Sequence, residues 1–184
     1  MKKALLIASV LFIAVISTAC INNIAVQELN NKAAEFMQKG DFEAAINRLE
    51  ASIDLDASMY ETYYNLGIAA TSAKNYPKAI EAFENGIKIK PGYADFYYSL
   101  AVAQVEYADV LLDEEVYDKE KEQTVKREIS EEDQENAWKH RINAVSNLNK
   151  YLELNPEASD RETVEELLKT CEEHINENKT DVAE

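Results

Sequence analysis

The chain has 184 residues, of which 46% are hydrophobic, and this length is sufficient for one domain with a buried core. Its formal net charge of −16 argues against nucleic acid as a partner, because phosphate binding needs clustered Lys and Arg; it favours basic partners instead. Only 4 Gly and 3 Pro are present, as is typical of an all-helical protein with short connections.

The first 19 residues have the composition of a secretion signal. A basic start over residues 1–3 precedes an apolar stretch over 4–16 and the small residues Ser17-Thr18-Ala19, and Cys20 follows directly. This arrangement resembles the lipobox of bacterial lipoproteins, although Ser17 stands where that family usually has Leu, Val or Ile. The resemblance implies a signal peptide over residues 1–19, a lipidated Cys20, and a short tether over 20–25.

Two alternatives remain for this segment: free secretion after ordinary cleavage, and an uncleaved anchor from Ala4 to Ile21. An apolar run of this length is marginal for spanning a bilayer. In all three cases the rest of the chain lies outside the cytoplasm, because the basic end stays inside. We therefore expect a location in the bacterial cell envelope, with the chain lipid-anchored to a membrane on its extracytoplasmic side.

Residues 60–91 repeat a pattern that also occurs 34 residues earlier and 34 residues later. The earlier copy places Leu29, Ala33, Phe42, Ala45, Leu49 and Leu55 at the positions of Tyr63, Gly67, Tyr76, Ala79, Phe83 and Ile89. Such a period indicates an array of helical hairpins, because one hairpin cannot bury its apolar stripe alone. The stretch resembles the tetratricopeptide repeat in Tyr63, the pair Leu66-Gly67, and then Ala79, Phe83, Gly86 and Pro91.

The resemblance implies an all-α solenoid of about three repeats, and protein binding without catalysis. The repeats are expected over residues 26–59, 60–93 and 94–157. Gly67 and Ala79 are small where two helices should nearly touch. Asp41 is a good N-cap for the second helix, and Ser58 with Glu61 predicts a capping box at the start of the third.

The third repeat contains an insertion. Ala144, Val145, Leu148, Tyr151, Leu154 and Pro156 match the second repeat at an offset of 65, so extra residues lie between its helices, at about 108–138. We expect its first helix to run to about Val116 and its second to begin near Glu131, after the N-cap Ser130. Val116, Ile129 and Trp138 would hold this projecting hairpin together, with a mobile loop or weak helix over 118–128. The insertion either helps to choose the partner or is tolerated without consequence.

An amphipathic helix over residues 158–176 is expected to cap the array, followed by a polar, frayed tail over 177–184. Cys171 lies on the apolar face of this helix and is expected to be a buried small hydrophobe without a disulfide.

The sequence contains no recognised catalytic set, cofactor motif or metal site. Neither His140 nor His174 lies in a nucleophile or zinc motif. A ligand pair of Cys171 and His174 is the alternative to a buried Cys171. The many carboxylates, at helical spacing among Lys and Arg, indicate a solvated face, and there is no Gly-rich phosphate loop.

The binding surface is predicted from the tetratricopeptide resemblance, in which the first helices line a concave groove that holds peptide segments. We define the groove face as the predicted binding residues on these helices: Asn30, Asn31, Met37, Glu61, Tyr64, Asn65, Ile68, Asp95, Tyr98 and Val102. The same resemblance also assigns groove positions to Gln27, Ala34, Thr71, Ser99 and Val105. Tyr64 and Tyr98 occupy one repeat position and would stand side by side. The alternative is that both pack between repeats.

One version of this groove, the chaperone carboxylate clamp, is excluded by the sequence. That clamp uses Lys, Asn, Asn, Lys and Arg, whereas the matching positions here hold Asn30, Ala34, Asn65, Asp95 and Ser99. Asp95 would repel a carboxylate.

The expected function is that of a membrane-anchored adaptor or scaffold that binds a protein or peptide through the groove face. The alternative is a structural subunit of an envelope complex that self-associates through its repeats, as a homo-oligomer. An enzyme is a distant third, and no cofactor is expected.

Overall fold

The structure, a computed structural model, describes residues 23–118 and 123–181. The predicted signal peptide and Cys20 lie outside these ranges. The helices and strands of the described residues are α1 (residues 23–38), α2 (Phe42–Leu55), α3 (Tyr60–Ser72), α4 (Tyr76–Ile89), α5 (Ala94–Leu111), β1 (Glu115–Asp118), β2 (Gln123–Lys126), α6 (Glu131–Leu154) and α7 (Arg161–Asp181).

Three successive helix pairs, α1/α2, α3/α4 and α5/α6, follow the predicted register. The second helices end at Leu55, Ile89 and Leu154, which are separated by the expected intervals of 34 and 65 residues. The residues that cap the last two have almost the same backbone, with φ −134° and ψ 75° at Lys90 and φ −130° and ψ 70° at Asn155. The insertion therefore leaves the geometry of the repeat end unchanged.

Short polar connections separate the helices. Asp41 and Asn75 cap α2 and α4 by accepting hydrogen bonds from the backbone N–H groups of Ala44 and Lys78, at 3.1 and 3.4 Å. The capping box predicted at Ser58 is wrong. Met59 occupies the N-cap position of α3 without a side-chain bond, and Ser58 instead donates to the carboxylate of Asp56.

Glycines allow the closest helix contacts in the core. A Cβ atom added to Gly67 would lie 2.2 Å from a ring carbon of Phe83, and one added to Gly86 would lie 2.1 Å from Phe96. Both rings are completely buried. Ala79 is also fully buried, as the predicted contact with the neighbouring helix requires. Aromatic rings thus occupy the space that the missing side chains leave, within the second repeat and at its junction with the third.

The capping helix α7 closes a second cluster of buried residues. Val164 and Cys171 are no more than 1% exposed and pack with Leu148 and Tyr151 of α6. The prediction of a buried Cys171 is confirmed. The helix begins at Arg161 and remains helical to Asp181, so the first part of the predicted polar tail is helical. At the other end, residues 23–25 of the predicted tether belong to α1.

The insertion agrees with its prediction at the start of α6 and differs from it at the end of α5 and in the segment between them. The second helix begins at Glu131, with Ser130 as its N-cap, as predicted. The expected extension of α5 to Val116 is wrong, because α5 ends at Leu111. Strands β1 and β2 then pair antiparallel, with Val116 opposite Val125, where a helix end and a loop or weak helix were predicted. The carboxylate of Asp113 accepts a bond from the N–H of Glu115 at 2.8 Å, and this local turn directs the chain away from the helix.

Candidate functional site

The groove face lies on the first helices of the three repeats. On α3 its members are Glu61, Tyr64, Asn65 and Ile68, whose spacing places them on one side of the helix. Glu61, Asp95 and Asn31 are exposed, whereas the remaining members are half-buried. Two carboxylates and no cation are therefore present on this face, so it carries negative charge.

Tyr64 packs at the junction of two repeats. Its ring centroid lies 5.5 Å from that of Phe96, 5.7 Å from that of Tyr93 and 6.1 Å from that of Phe83. Its hydroxyl is 3.5 Å from the hydroxyl of Ser99, on the next first helix. The ring therefore contributes to packing, while the half-buried side chain still reaches the groove face.

Tyr98 belongs to a different cluster. Its ring lies 5.4 Å from that of Tyr151, whose hydroxyl donates to the carboxylate of Asp160 at 2.8 Å. Among the described residues there is no ring contact between Tyr64 and Tyr98. The two tyrosines occupy equivalent repeat positions, but each packs against its own second helix.

Tyr93 packs against Tyr64 of the groove face, and its role was not predicted from the sequence. It occupies the N-cap position of α5 and is half-buried. The hydrogen bond to the Asp95 carboxylate, together with burial, raises the pKa of the Tyr93 hydroxyl to about 12. The ammonium group of Lys90 lies 3.7 Å from the ring centroid of Tyr60 and 5.4 Å from that of Tyr93. A cation can therefore be held against these rings.

Asn30 is placed differently from the other groove residues. Its amide nitrogen donates to the hydroxyl of Ser52 on α2 at 2.8 Å and to the Val26 carbonyl at 3.0 Å. Ser52 is fully buried. The side chain of Asn30 therefore joins the two helices of the first repeat, and its amide nitrogen is already occupied.

Arg127 fixes the insertion to the array. Its guanidinium donates to the carbonyls of Val110 and Leu111 at the end of α5 and to that of Asp113. It also donates to the carboxylate of Asp133, in the first turn of α6, at 2.9 Å. One side chain thus satisfies free carbonyls at a helix end and ties the hairpin to both long helices.

The buried thiol and imidazole groups of the described residues contribute to packing. Burial raises the pKa of the Cys171 thiol and lowers the pKa of the His140 imidazole, so both favour their neutral forms near pH 7. Within residues 23–118 and 123–181, no group of three or more His, Cys, Asp or Glu side chains is arranged to hold a metal ion. The described helices include none with both the length and the apolar character to cross a membrane.

Comparison with known proteins identifies the repeat. The sequence model of the tetratricopeptide-repeat family matches residues 30–94. Small glutamine-rich tetratricopeptide repeat-containing protein 2 of Mycosarcoma maydis is 32% identical over 62 residues, which represent 34% of this chain and 18% of that protein. The matched segment therefore spans less than a fifth of that relative's length.

Solved structures of low sequence identity share the fold over most of the chain. The Arabidopsis OM64 TPR domain superposes with a TM-score of 0.61 at 15% identity, covering 84% of this chain and 99% of that one. The TPR2B domain of yeast Sti1, in complex with pHsp70, gives 0.60 at 15% identity, covering 82% and 98%. The Yersinia enterocolitica chaperone SycD, with a peptide of the translocator YopD, gives 0.58 at 16% identity, covering 80% and 92%. Residues 30–94 therefore match tetratricopeptide repeats, and the chain folds as an all-α helical solenoid of that type.

Proposed function

We propose that this protein is an adaptor that binds a basic segment of a partner protein along the groove face. The observation that carries the proposal is the pair of exposed carboxylates, Glu61 and Asp95, at equivalent positions of consecutive first helices. Glu61 forms no ion pair with any described residue, and Asp95 bonds only to a neutral phenol. Neither carboxylate is therefore in an ion pair with a described Lys or Arg, although Lys90 lies near the ring of Tyr93.

The surroundings of these carboxylates suit a Lys or Arg side chain. Asp95 bonds to the hydroxyl of Tyr93, whose ring lies 5.5 Å from that of Tyr60, and the ammonium group of Lys90 shows that these rings accept a cation. Aromatic faces attract cations, and an adjacent carboxylate strengthens that attraction. The net charge of −16 attracts the same partners over longer distances.

Solved relatives of the fold support the kind of partner proposed. The Sti1 domain and SycD are both in complexes, and that of SycD contains a peptide. The charge of the partner is expected to differ from that of carboxylate-clamp ligands, because Asp95 stands at a position where such a clamp has Lys.

The proposal includes anchoring to a membrane by a lipid on Cys20, on the extracytoplasmic side of a bacterial cell envelope. Its support is the signal-like composition of residues 1–19 and the small residues directly before Cys20. A tether of a few residues would then hold the array close to the membrane surface.

The proposal is tested by titrating a fluorescent ten-residue peptide rich in Lys and Arg, and its Glu-rich counterpart, into the full-length chain. We expect only the basic peptide to bind. Glu61→Gln and Asp95→Asn should each weaken binding by roughly three- to tenfold at low salt, because each removes one charge at the rim of the site. The matched control is Glu81→Gln, an exposed carboxylate on α4, which should leave binding unchanged. Equal losses from all three variants would indicate general attraction and contradict a site on the groove face.

A further inference from the structure

A second cleft lies on the opposite side of the array. It has a volume of about 410 Å³, with α5 as its floor and α4 and α6 as its walls. The floor residues Leu100 and Gln104 lie about 120–180° around α5 from Asp95 and Tyr98, because each residue turns an α-helix by about 100°. This cleft is therefore separate from the groove face.

Two amide side chains meet at the bottom of the cleft. Gln104 is only 3% exposed, and its carbonyl oxygen accepts a hydrogen bond from the Asn147 amide nitrogen at 2.9 Å. The other two polar atoms, Nε2 of Gln104 and Oδ1 of Asn147, bond to no described residue. In the described residues, the side-chain polar atoms that are both buried and without a hydrogen-bond partner are Asn30 Oδ1, Thr62 Oγ1 and His140 Nδ1. Since the two free atoms of the amide pair are not among them, they are accessible to solvent. Both free atoms therefore open into the cleft.

The fold does not require this amide pair. At the repeat offsets of 34 and 65, Gln104 and Asn147 correspond to Ala70 and Ala82 of the second repeat. That alanine pair is buried at the same kind of helix contact, with exposures of 0% and 2%. Two alanines fill this contact in the second repeat, so helix packing alone does not require an amide pair here.

We propose that the Gln104–Asn147 pair binds one peptide group of an extended partner segment that lies in this cleft. The free N–H of Gln104 donates to the carbonyl oxygen of that peptide group, and the Oδ1 of Asn147 accepts from its N–H. One donor and one acceptor side by side are the complement of a peptide unit. The proposal concerns a different face from the groove and does not depend on what the groove binds.

The wall formed by α6 extends this recognition along the cleft. Asn143 and Ser146 are exposed and share one side of the helix with Asn147. Asn143 lies one turn from Asn147, a rise of about 6 Å. In an extended chain, peptide groups that face the same way recur about every 6.6–6.8 Å. Asn143 is thus placed to meet the next such group, a regular match that favours a peptide over a sugar.

The test uses the full-length chain labelled with ¹⁵N and the capped peptide acetyl-tetra-alanine-amide, whose only polar groups are amides. We expect titration to shift the side-chain NH₂ signals of Gln104 and Asn147 and the backbone signal of Ser146. The variant Gln104→Ala/Asn147→Ala, which copies the second repeat, should retain the fold and raise the Kd about tenfold. Asn149→Ala, an exposed amide elsewhere on α6, is the control and should not change the Kd.

Filling the cleft gives a second variant that does not touch the core. Ser146→Trp should abolish the shifts at Gln104, because Ser146 is exposed on the wall. Side-chain shifts of Gln104 and Asn147 that persist in Ser146→Trp, or an unchanged Kd in the double alanine variant, would overturn the proposal. So would a result in which chitotriose, a sugar probe, shifts the Gln104 and Asn147 signals while the alanine peptide does not.

Discussion

Gly40 and Lys74 end the first helices of two consecutive repeats with the same left-handed backbone, at φ 75° and φ 58°. At each site the following N–H bonds to the carbonyl five residues back, from Asp41 to Phe36 and from Asn75 to Ala70. This is a Schellman turn, which favours Gly because a Cβ atom is strained at positive φ. Lys74 therefore holds a conformation for which Gly is better suited.

We expect Lys74→Gly to raise the free energy of unfolding by about 0.5–1 kcal/mol, measured by denaturant unfolding. Gly40→Ala is the reciprocal control and should lower that free energy by about 1 kcal/mol. No atom lies within 4 Å of the added Cβ, so its effect would come from the backbone alone. A Lys74→Gly variant less stable than the parent would contradict this assignment.

Gly67 is required because a neighbouring ring leaves no space for a Cβ atom, and not because of its backbone conformation. Its added Cβ would overlap the buried ring of Phe83, so Gly67→Ala should lower the free energy of unfolding by about 1–3 kcal/mol. Thermal unfolding should show one transition at a lower Tm. Gly92→Ala, where no atom lies within 4 Å, should change stability by less than about 0.5 kcal/mol. Similar effects at both sites would show that the Gly67–Phe83 contact is wrong.

For single residues, the sequence predicted the close contacts between helices better than it predicted the residues of the binding surface. The 34-residue period identified Gly67 and Ala79 correctly, because small residues recur where helices must approach. It could not show that Asn30 turns towards Ser52, since that depends on which rotamer finds a buried hydroxyl. It also missed Tyr93, whose importance comes from Asp95 and Lys90 lying next to it in the fold.

Among the elements, the β-hairpin is fixed to the array by the side chain of Arg127. Arg127→Met keeps the aliphatic stem and removes every bond to α5 and Asp133. We expect faster hydrogen exchange in β1 and β2 and a loss of about 1–2 kcal/mol in the free energy of unfolding. Lys169→Met is the control, because its ion pair with Glu173 is exposed at 3.7 Å and contributes little. Unchanged exchange in β2 of the Arg127 variant would contradict the role of Arg127 in fixing the hairpin to α5 and α6.

The hairpin also shows where element prediction failed. Ser130 and the acidic turn after it gave the start of α6 correctly, because a cap is encoded by adjacent residues. The strands were missed because strand formation depends on the partner strand. Val116 and Val125 pair in the fold, but neither residue alone predicts a strand. The end of α5 was misplaced for a related reason: the group that caps it, Arg127, is 16 residues away from Leu111 along the chain.

For the whole molecule, the proposed membrane anchor makes its own prediction. Cys20→Ser should release the protein into the soluble fraction or block processing of the signal, because the lipid-bearing thiol is lost. Cell fractionation and mass spectrometry of the mature chain measure both. The control is Cys171→Ser in the same assay, which should leave membrane attachment unchanged. An unmodified Cys20 at the mature N-terminus of the parent protein would contradict lipid anchoring.

The central claim is that a partner protein lies along the groove face, and in-cell photo-crosslinking tests it most directly. A photo-reactive amino acid is placed at Glu61, on the groove face, or at Glu81, on the other helix of the same repeat; both sites are exposed. The account predicts a crosslinked product from position 61 that contains a different protein, and none of that product from position 81. A product from position 61 that contains only a second copy of this chain, or the same product from both positions, would contradict it.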